Sequence, residues 1–238
     1  MNRDSNRHTY IFAGVMVIAI AFVLSFTSES LKDLKADNIK KEKMQNILSA
    51  VGINVTRDQS GDLYNQYIID ELSLSNIGEI DTSVSAFNIN LALEIKKDIN
   101  TQRFPLYIAN VDDNRYYIIP LRGNGLWNAI WGYIALKGDR NTIKGVSFDH
   151  QAETAGLGAE ITEDWFMNSF IDEKILNNDG DFVGVGVTKT NNDPENTDKD
   201  DNEVDAISGA TITGDGVSDM IKERLENYLQ FFNNIANE

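Results

Sequence analysis

The stretch DAISGATIT, from Asp205 to Thr213, concentrates hydroxyl-bearing and very small side chains in a part of the chain that is otherwise acidic and polar. The small residues just before Thr211 leave room for a bulky group beside its hydroxyl. A helix predicted to begin near Val217, with Thr213 or Asp215 as its N-cap, would present unpaired backbone N–H groups close by. Such a helix start favours a phosphate, so the pattern indicates a phosphate-bearing ligand near Thr211. A plain N-cap loop is the alternative.

A second stretch contains glycines that would let a backbone approach a flat ligand. AETAGLGAE, residues 152–160, follows Gln151 and offers Glu153 and Thr154 as polar contacts. The alternative interpretation is an ordinary turn followed by a helix N-cap at Thr162. From these residues alone, the turn is the favoured interpretation.

A third stretch, RGNGLWNAIWGYIAL, is typical of a strand pair entered through a glycine turn. Trp127 and Trp131 lie four residues apart, and an aromatic pair of this kind more often packs in a core than against a cofactor. GNGLWN and GVGVTK both begin like a dinucleotide-binding fingerprint but lack its third glycine. With no P-loop lysine pattern either, NADH and ATP sites are not supported.

The composition excludes several kinds of site and partner. The chain has no cysteine, which excludes thiolate zinc sites, cysteine-ligated iron–sulfur clusters and thiol nucleophiles. Two histidines, His8 and His150, are too few for a multi-histidine metal site. Asp198, Asp200 and Asn202 match the first ligand positions of a calcium loop, but its turn glycine and closing Glu are missing, so no metal site is predicted. A net charge of −16 argues against nucleic acid as a partner.

The elements that must position these residues are predicted to follow one membrane anchor. Residues 10–26 carry no charge and are predicted to form a retained transmembrane helix, because no small-x-small cleavage pattern follows them. Arg3 and Arg7 precede this segment and several lysines follow it, which leaves its orientation open. Residues 31–51 have helical spacing and are predicted to form a helix that ends at Gly52.

Beyond this helix the pattern predicts an α+β domain. Runs of β-branched and aromatic residues bounded by turn signals predict strands at 63–69, 107–111, 116–121, 130–136 and 143–148, with KGDRNTIKG as a hairpin connection. Apolar residues at helical spacing predict helices at 164–170 and 217–235. Residues 191–203 contain no apolar side chain and one base, and are predicted to be a solvated loop.

The opening stretch also resembles a known motif. Residues 205–211, an acid, two variable residues and then Ser-Gly-Ala-Thr, are similar to the flavinylation motif of the FMN-binding domain family. In that family the final threonine carries FMN as a phosphoester, transferred from FAD by a dedicated flavin transferase. That resemblance explains a hydroxyl with no activating base nearby, because the transferase supplies the chemistry.

More of the chain resembles one branch of that family. GLWNAIWGYIAL, HQAETAGLGAEI and the motif occur in the order found in the C subunit of sodium-translocating NADH:quinone reductases, and QNILSAVGI is similar to the same branch. The G subunit of Rnf complexes shares the motif, but the Gly-Leu-Trp element favours the quinone reductase. Ala155 is a departure, since the family's glycine loop usually has proline there.

The resemblance implies a set of site residues around covalent FMN. Thr211 would be the attachment site, and Asp205 would serve its modification. The remaining residues would surround the phosphate, border the isoalloxazine or ribityl chain, wall the flavin or lie near it: Ser208, Gly209, Ala210 and Thr213 at the phosphate; Glu153, Thr154, Gly156, Leu157 and Gly158 at the ring or ribityl chain; Leu126 and Trp127 as walls; and Lys189 near the flavin.

The implied function is that of a redox protein whose FMN relays electrons within a membrane complex that oxidises NADH with quinone and exports sodium ions. The implied partners are the other subunits of that complex and, during maturation, the flavin transferase. This polypeptide is not expected to be active alone. Two alternatives stay open: the G subunit of an Rnf-type ferredoxin:NAD reductase complex, and a flavin-free, membrane-anchored module that binds a phosphorylated ligand.

The predicted organisation is a single N-terminal transmembrane helix followed by a mixed sheet-and-helix FMN-binding domain of α+β class. A short cytoplasmic tail is expected at 1–9, the anchor at 10–27 and an amphipathic connecting helix at 28–55. An extracytoplasmic domain would span 56–238, with its FMN-binding part at about 105–238. The family places this domain on the periplasmic side of the inner membrane.

Overall fold

The computed structural model describes residues 6–236, so most of the predicted tail at 1–9, including Arg3, lies outside the described residues. The chain divides into two compact units, one that ends at Lys43 and one that begins at Met44. The first helix, α1, spans Asn6–Ser30 and is, within residues 6–236, the one helix long and apolar enough to cross a membrane. The second helix, α2, spans Lys32–Ala50, and Gly52 follows it with φ +86°, as predicted for its C-terminal end.

The second unit is built on a five-stranded antiparallel sheet whose strands follow one another in chain order. The strands are β1 Ile68–Leu74, β2 Phe104–Val111, β3 Asn114–Asn124, β4 Ala129–Leu136 and β5 Ile143–His150. The predicted strands at 107–111, 116–121, 130–136 and 143–148 are confirmed, and so is the hairpin connection between the last two. The predicted α+β class is therefore confirmed.

The predicted strand at 63–69 is wrong over most of its length. A third helix, α3, occupies Ser60–Tyr67, and β1 begins only at Ile68. Ser60 and Tyr64 lie four residues apart and share the buried face of α3. The Tyr64 hydroxyl donates a 2.7 Å hydrogen bond to Glu71 of β1, so a tertiary contact outweighs the β propensity of this run.

Between β1 and β2 the chain has little regular structure: a single helical turn, α4, at Leu91–Glu94, and two 3-10 turns at Ala86–Asn88 and Ile99–Thr101. The buried carboxylate of Glu94 accepts hydrogen bonds from the Lys97 ammonium group and the Arg103 backbone N–H. These bonds close the segment onto the start of β2.

Both faces of the sheet are covered, and alternate residues of each strand serve different cores. On one face Leu106, Ile119 and Ile134 belong to the larger core, which includes three helices: α5 Asp164–Ser169, α6 Thr211–Glu226 and α7 Leu229–Ala236. On the other face Tyr107, Ile118 and Tyr133 pack with buried residues of the end of α2 and with Tyr64 of α3. A short parallel pair, β6 Gly186–Val187 and β7 Glu203–Val204, completes the fold.

The predicted helix at 217–235 is two helices, and the first begins six residues early. α6 starts at Thr211, and the Gly214 N–H donates its first intrahelical hydrogen bond to the Ala210 carbonyl at 2.9 Å. The break falls between α6 and α7, where Tyr228 is buried and its hydroxyl donates to the Pro105 carbonyl at 2.9 Å. The predicted helix at 164–170 is confirmed as α5.

Candidate functional site

Three segments that are distant in sequence form one pocket on the domain. They are the turn between β3 and β4, the loop that follows β5, and the start of α6. The cavity has a volume of about 230 Å³. Its lining includes Leu126 and Trp127 from the turn, Glu153, Thr154, Leu157 and Gly158 from the loop, and Gly209, Ala210, Thr211, Ile212 and Thr213 from the helix start.

The start of α6 reaches this pocket without a side-chain cap. Ala210 occupies the N-cap position and no side-chain cap hydrogen bond is formed, so the predicted caps at Thr213 or Asp215 are wrong. The N–H groups of the first turn have no intrahelical acceptor. Gly209, at φ +74°, turns the chain into the helix, and a Cβ there would lie 2.8 Å from Leu157 Cδ2. An uncapped helix N-terminus therefore lies at the pocket, and its unpaired N–H groups favour the binding of an anion there.

The hydroxyls of this stretch differ in their environment. The side chains of Ile207 and Ala210 are buried in the core and hold the segment in place, whereas Ser208 and Thr211 are exposed. Thr213 is 1% exposed, and its hydroxyl donates a 2.7 Å hydrogen bond to Glu153 Oε2. Of the two motif threonines that line the pocket, only Thr211 presents an accessible hydroxyl.

Glu153 is buried beside the pocket and accepts hydrogen bonds from two of its walls. Its Oε1 accepts from the backbone N–H groups of Trp127 at 2.9 Å and Asn128 at 3.4 Å, and its Oε2 accepts from Thr213. Burial has the largest single effect on the pKa of Glu153 and raises it. The hydrogen bonds from Thr213 and the turn together outweigh burial and hold the pKa of Glu153 below its ordinary value. Glu153 is therefore a carboxylate at neutral pH.

The rim of the pocket is apolar and open to solvent. Trp127 is 66% exposed, Ile212 57%, Leu126 47% and Leu157 40%. The expectation that Trp127 and Trp131 pair in a core is wrong: Trp131 is only half-buried, with the Arg122 guanidinium 5.8 Å from its ring centroid. Such a rim offers flat contact area to a planar ring.

Ten of the fourteen residues predicted from the sequence line the pocket, and Ile212 is the lining residue that was not predicted. Its neighbours in the motif were chosen for their hydroxyls or small size, and neither criterion selects an isoleucine. Ile212 is the second residue of α6, and its place in the lining could be recognised only once the helix was seen to begin at Thr211.

Four predicted site residues lie outside the lining: Asp205, Ser208, Gly156 and Lys189. Asp205 Oδ1 accepts hydrogen bonds from the N–H groups of Asn192 and Asp193, and its Oδ2 is buried with no partner among the described residues. Gly156 sits at φ +76° in the exposed turn next to Leu157. Lys189 is exposed in the chain after β6.

The residues at 191–203 lack regular structure up to β7, but they are more than a solvated loop. Asn196 is buried, and its side-chain amide donates to the Ser169 carbonyl and to Glu173 Oε1. The Lys199 ammonium group lies 3.4 Å from Glu173 Oε1. The loop is therefore fixed to the domain through the fully buried Glu173.

The side chains that resemble the start of a calcium loop have other contacts. Asp200 forms an ion pair with Lys174. The Asn202 side-chain amide donates to the carbonyls of Lys174 and Leu176. Across residues 6–236 the structure shows no group of three or more acidic or histidine side chains placed to hold a metal ion.

Comparison with known proteins relates this pocket to a family. A family model of the FMN-binding domain matches residues 125–226, which include every residue of the pocket lining. The C subunit of the Na(+)-translocating NADH-quinone reductase from Parabacteroides distasonis, known from a crystal structure, is 35% identical to this chain, with a TM-score of 0.75. That comparison covers 84% of this chain and 96% of the solved one.

Two further relatives agree. NqrC of Shewanella oneidensis is 24% identical and supports the fold, with a TM-score of 0.67 over 84% of this chain and 99% of the other. The C subunit of the same reductase from Haemophilus ducreyi is 26% identical over 240 residues, covering 93% of this chain and 90% of the relative. Because the solved Parabacteroides protein is 35% identical and almost fully covered, and because the pocket lies inside the matched FMN-binding domain, this chain belongs to the NqrC family, the C subunits of Na(+)-translocating NADH-quinone reductases.

Proposed function

We propose that this chain holds FMN in the pocket, covalently through Thr211, and relays electrons as the C subunit of a sodium-translocating NADH:quinone reductase. The observation that carries the proposal is the pocket itself. It combines an uncapped helix N-terminus, an exposed Thr211 hydroxyl and an apolar rim inside a matched FMN-binding domain.

The residues present fit FMN. The first-turn N–H groups of α6 and the small side chains before Thr211 suit a phosphate, which is bulky and anionic. Leu126, Trp127 and Leu157 suit the faces of an isoalloxazine ring. The cavity of about 230 Å³ is smaller than the ~300–1,000 Å³ usual for a complete ligand pocket, so part of the ring would rest on the exposed rim.

Thr211 is the attachment residue that the geometry favours. The Thr213 hydroxyl is buried and donates to Glu153, and Ser208 does not line the cavity. FAD is FMN joined to AMP through a phosphoanhydride. Attachment would form a bond between Thr211 Oγ and the FMN phosphorus and break the bond from that phosphorus to the bridging oxygen of FAD, and it would release AMP and the hydroxyl proton. A flavin transferase would supply the base and the metal for this step.

FMN, when bound, accepts and passes on electrons one or two at a time. The chain's own residues would hold the phosphate at α6, orient the ring against the apolar rim and leave its edge accessible to a redox partner. NADH and quinone would bind to other subunits of the complex, and sodium export would be coupled to the electron flow there. The chain alone would not oxidise NADH.

The apolar helix α1 supports membrane anchoring. We propose that this helix lies in the inner membrane and that the flavin domain is on the periplasmic side. Protease added to intact spheroplasts tests this orientation: the domain should be digested while a cytoplasmic marker survives. Protection of the domain from the protease would indicate the opposite orientation, with the domain on the cytoplasmic side.

A denaturing gel tests the covalent bond. Full-length chain co-expressed with a flavin transferase should retain a fluorescent flavin band. Thr211→Val, which keeps the side-chain shape but removes the hydroxyl, should abolish the band, and Ser208→Ala should at most weaken it. A band that persists in Thr211→Val would show that another residue carries the flavin, and co-purifying subunits would identify the complex.

A further inference from the structure

One side chain connects the three walls of the pocket. Glu153 belongs to the loop after β5, yet it is hydrogen-bonded both to the β3–β4 turn and to α6. The resemblance to the FMN-binding family implies that it borders the flavin. The contacts of its carboxylate indicate a second task.

We propose that Glu153 is a positioning residue, which fixes the turn carrying Leu126 and Trp127 relative to the first turn of α6, so that the apolar wall and Thr211 are held in place before FMN arrives. The inference rests on the proposed function, which it deepens.

The contacts form a continuous connection from one wall to the next. Glu153 Oε1 receives the N–H of Trp127 at 2.9 Å, and Oε2 receives the Thr213 hydroxyl at 2.7 Å, two residues beyond Thr211. The Glu153 N–H donates to His150 Nδ1 at 3.2 Å, which ties the residue to the end of β5. Hydrogen bonds to a charged, buried acceptor are stronger and shorter than neutral ones. The turn and the helix start are thus held through one rigid group.

The surrounding glycines leave this carboxylate little room to move. A Cβ at Gly125 would lie 2.7 Å from Glu153 Oε1, and a Cβ at Gly158 would lie 2.6 Å from Thr213 Oγ1. The glycine backbone therefore packs directly against the carboxylate, at Gly125 in the β3–β4 turn and at Gly158 in the loop after β5. Close packing of this kind restricts the group to the rotamer that reaches both walls.

The charge of Glu153 has a second consequence. Among the described residues that line the pocket there is no Lys or Arg, and the carboxylate accepts hydrogen bonds from the N–H groups of Trp127 and Asn128 and from the Thr213 hydroxyl. A fixed negative charge beside a flavin disfavours electron uptake. Glu153 is therefore expected to lower the reduction potential of bound FMN.

Hydrogen exchange on the full-length chain made without the transferase tests the positioning role independently of the flavin. Glu153→Ala should speed amide exchange in the peptide containing Trp127 and Asn128 roughly tenfold or more, because both N–H groups lose their acceptor. Glu153→Gln keeps an amide oxygen for the turn and should rescue most of the protection. Wild-type exchange in Glu153→Ala would overturn the inference.

Thr213→Val provides a second test if Glu153→Ala does not fold. It removes only the bond to α6, so it should leave the Trp127 peptide protected while flavin loading at limiting transferase falls. Wild-type loading in this variant would contradict the proposed connection. A wild-type chain that takes up no flavin would instead refute the proposed function, with the exchange result still standing.

The flavin-loaded chain tests the charge. Glu153→Gln should raise the midpoint potential, whereas a merely structural residue would not shift the potential in its shape-conserving variant. Glu160→Gln is the matched control, because this carboxylate lies in the same loop, accepts from the Gly156 N–H and does not line the pocket. A shift in Glu153→Gln no larger than that in Glu160→Gln would refute the effect of the charge.

Discussion

Replacing Gly158 by Ala would place a methyl group against the hydrogen-bonded pair of Glu153 and Thr213. The added Cβ would lie 2.6 Å from Thr213 Oγ1 and closer still to Glu153 Oε2, well inside van der Waals contact. The φ of Gly158 is outside the left-handed region, so the backbone itself accepts alanine. The perturbation is therefore almost purely steric, and it acts on one hydrogen bond.

The magnitude follows from that bond. The methyl group must push the two oxygens apart, and a buried hydrogen bond to a charged group contributes about 1.5–3 kcal/mol. Replacing glycine stabilises the protein by about 0.4–1 kcal/mol through the unfolded chain. The net expected loss is about 1–2 kcal/mol in the free energy of unfolding, or a Tm lower by a few degrees in a domain of this size.

The assay is urea unfolding of four chains in a double-mutant cycle with Thr213→Ala. That substitution removes one of the two oxygens the methyl group strikes and leaves space for the Glu153 carboxylate to move. Gly158→Ala should therefore cost at least about 1 kcal/mol less in the Thr213→Ala background than in the wild type.

Gly156→Ala is the matched control. Gly156 has φ +76° and no atom within 4 Å of an added Cβ, so alanine there brings backbone strain of about 1–2 kcal/mol and no clash. Its cost should be equal in both backgrounds. If Gly158→Ala also costs the same in both, the methyl group does not act through the Glu153–Thr213 pair and the reasoning fails.

Two further predictions concern buried groups away from the pocket. Burial raises the pKa of Glu173 to about 7 from 4.5, so the folded chain keeps a proton that the unfolded chain releases, and stability should fall as pH rises from about 4.5 to 7. The decline in the free energy of unfolding should be at most about 3 kcal/mol, and Glu173→Gln should flatten it. Urea unfolding at a series of pH values measures this decline, and an unchanged pH dependence in Glu173→Gln would contradict the prediction. Tyr228→Phe removes the buried donor to the Pro105 carbonyl and should lower the free energy of unfolding by about 1–2 kcal/mol with unchanged flavin content. A loss below about 0.5 kcal/mol would show that the carbonyl finds another partner.

Local sequence patterns were sufficient to predict the strands whose residue types and flanking turns agreed. The strands at 107–111, 116–121, 130–136 and 143–148 carry β-branched and aromatic residues between clear turn residues, and each is confirmed. The run at 63–69 carries similar residues but is largely helical, because Tyr64 is buried against the domain and bonded to Glu71. That contact is invisible to local propensity.

The start of α6 shows the same limit at the site. The apolar face from Val217 onward predicts the helix, but Thr213 and Asp215 suggested caps because their side chains favour that position. Thr213 instead donates to Glu153, sixty positions away in the chain, and the helix begins at Thr211 with Ala210 as its N-cap. The Thr213 hydroxyl is thus used in a long-range contact and not as a cap, which local sequence preference does not predict.

The sequence by itself determined the kinds of chemistry available to this protein. Its lack of cysteine and its two histidines excluded several metal and thiol sites, and its DAISGATIT stretch indicated a phosphate-bearing ligand near Thr211. The resemblance of its motifs to the FMN-binding family then named ten of the lining residues. Only the tertiary structure gives the physical reason why the two threonines of that stretch differ. Thr211 and Thr213 are chemically identical, and they differ because packing buries one hydroxyl against Glu153 and leaves the other open at the pocket.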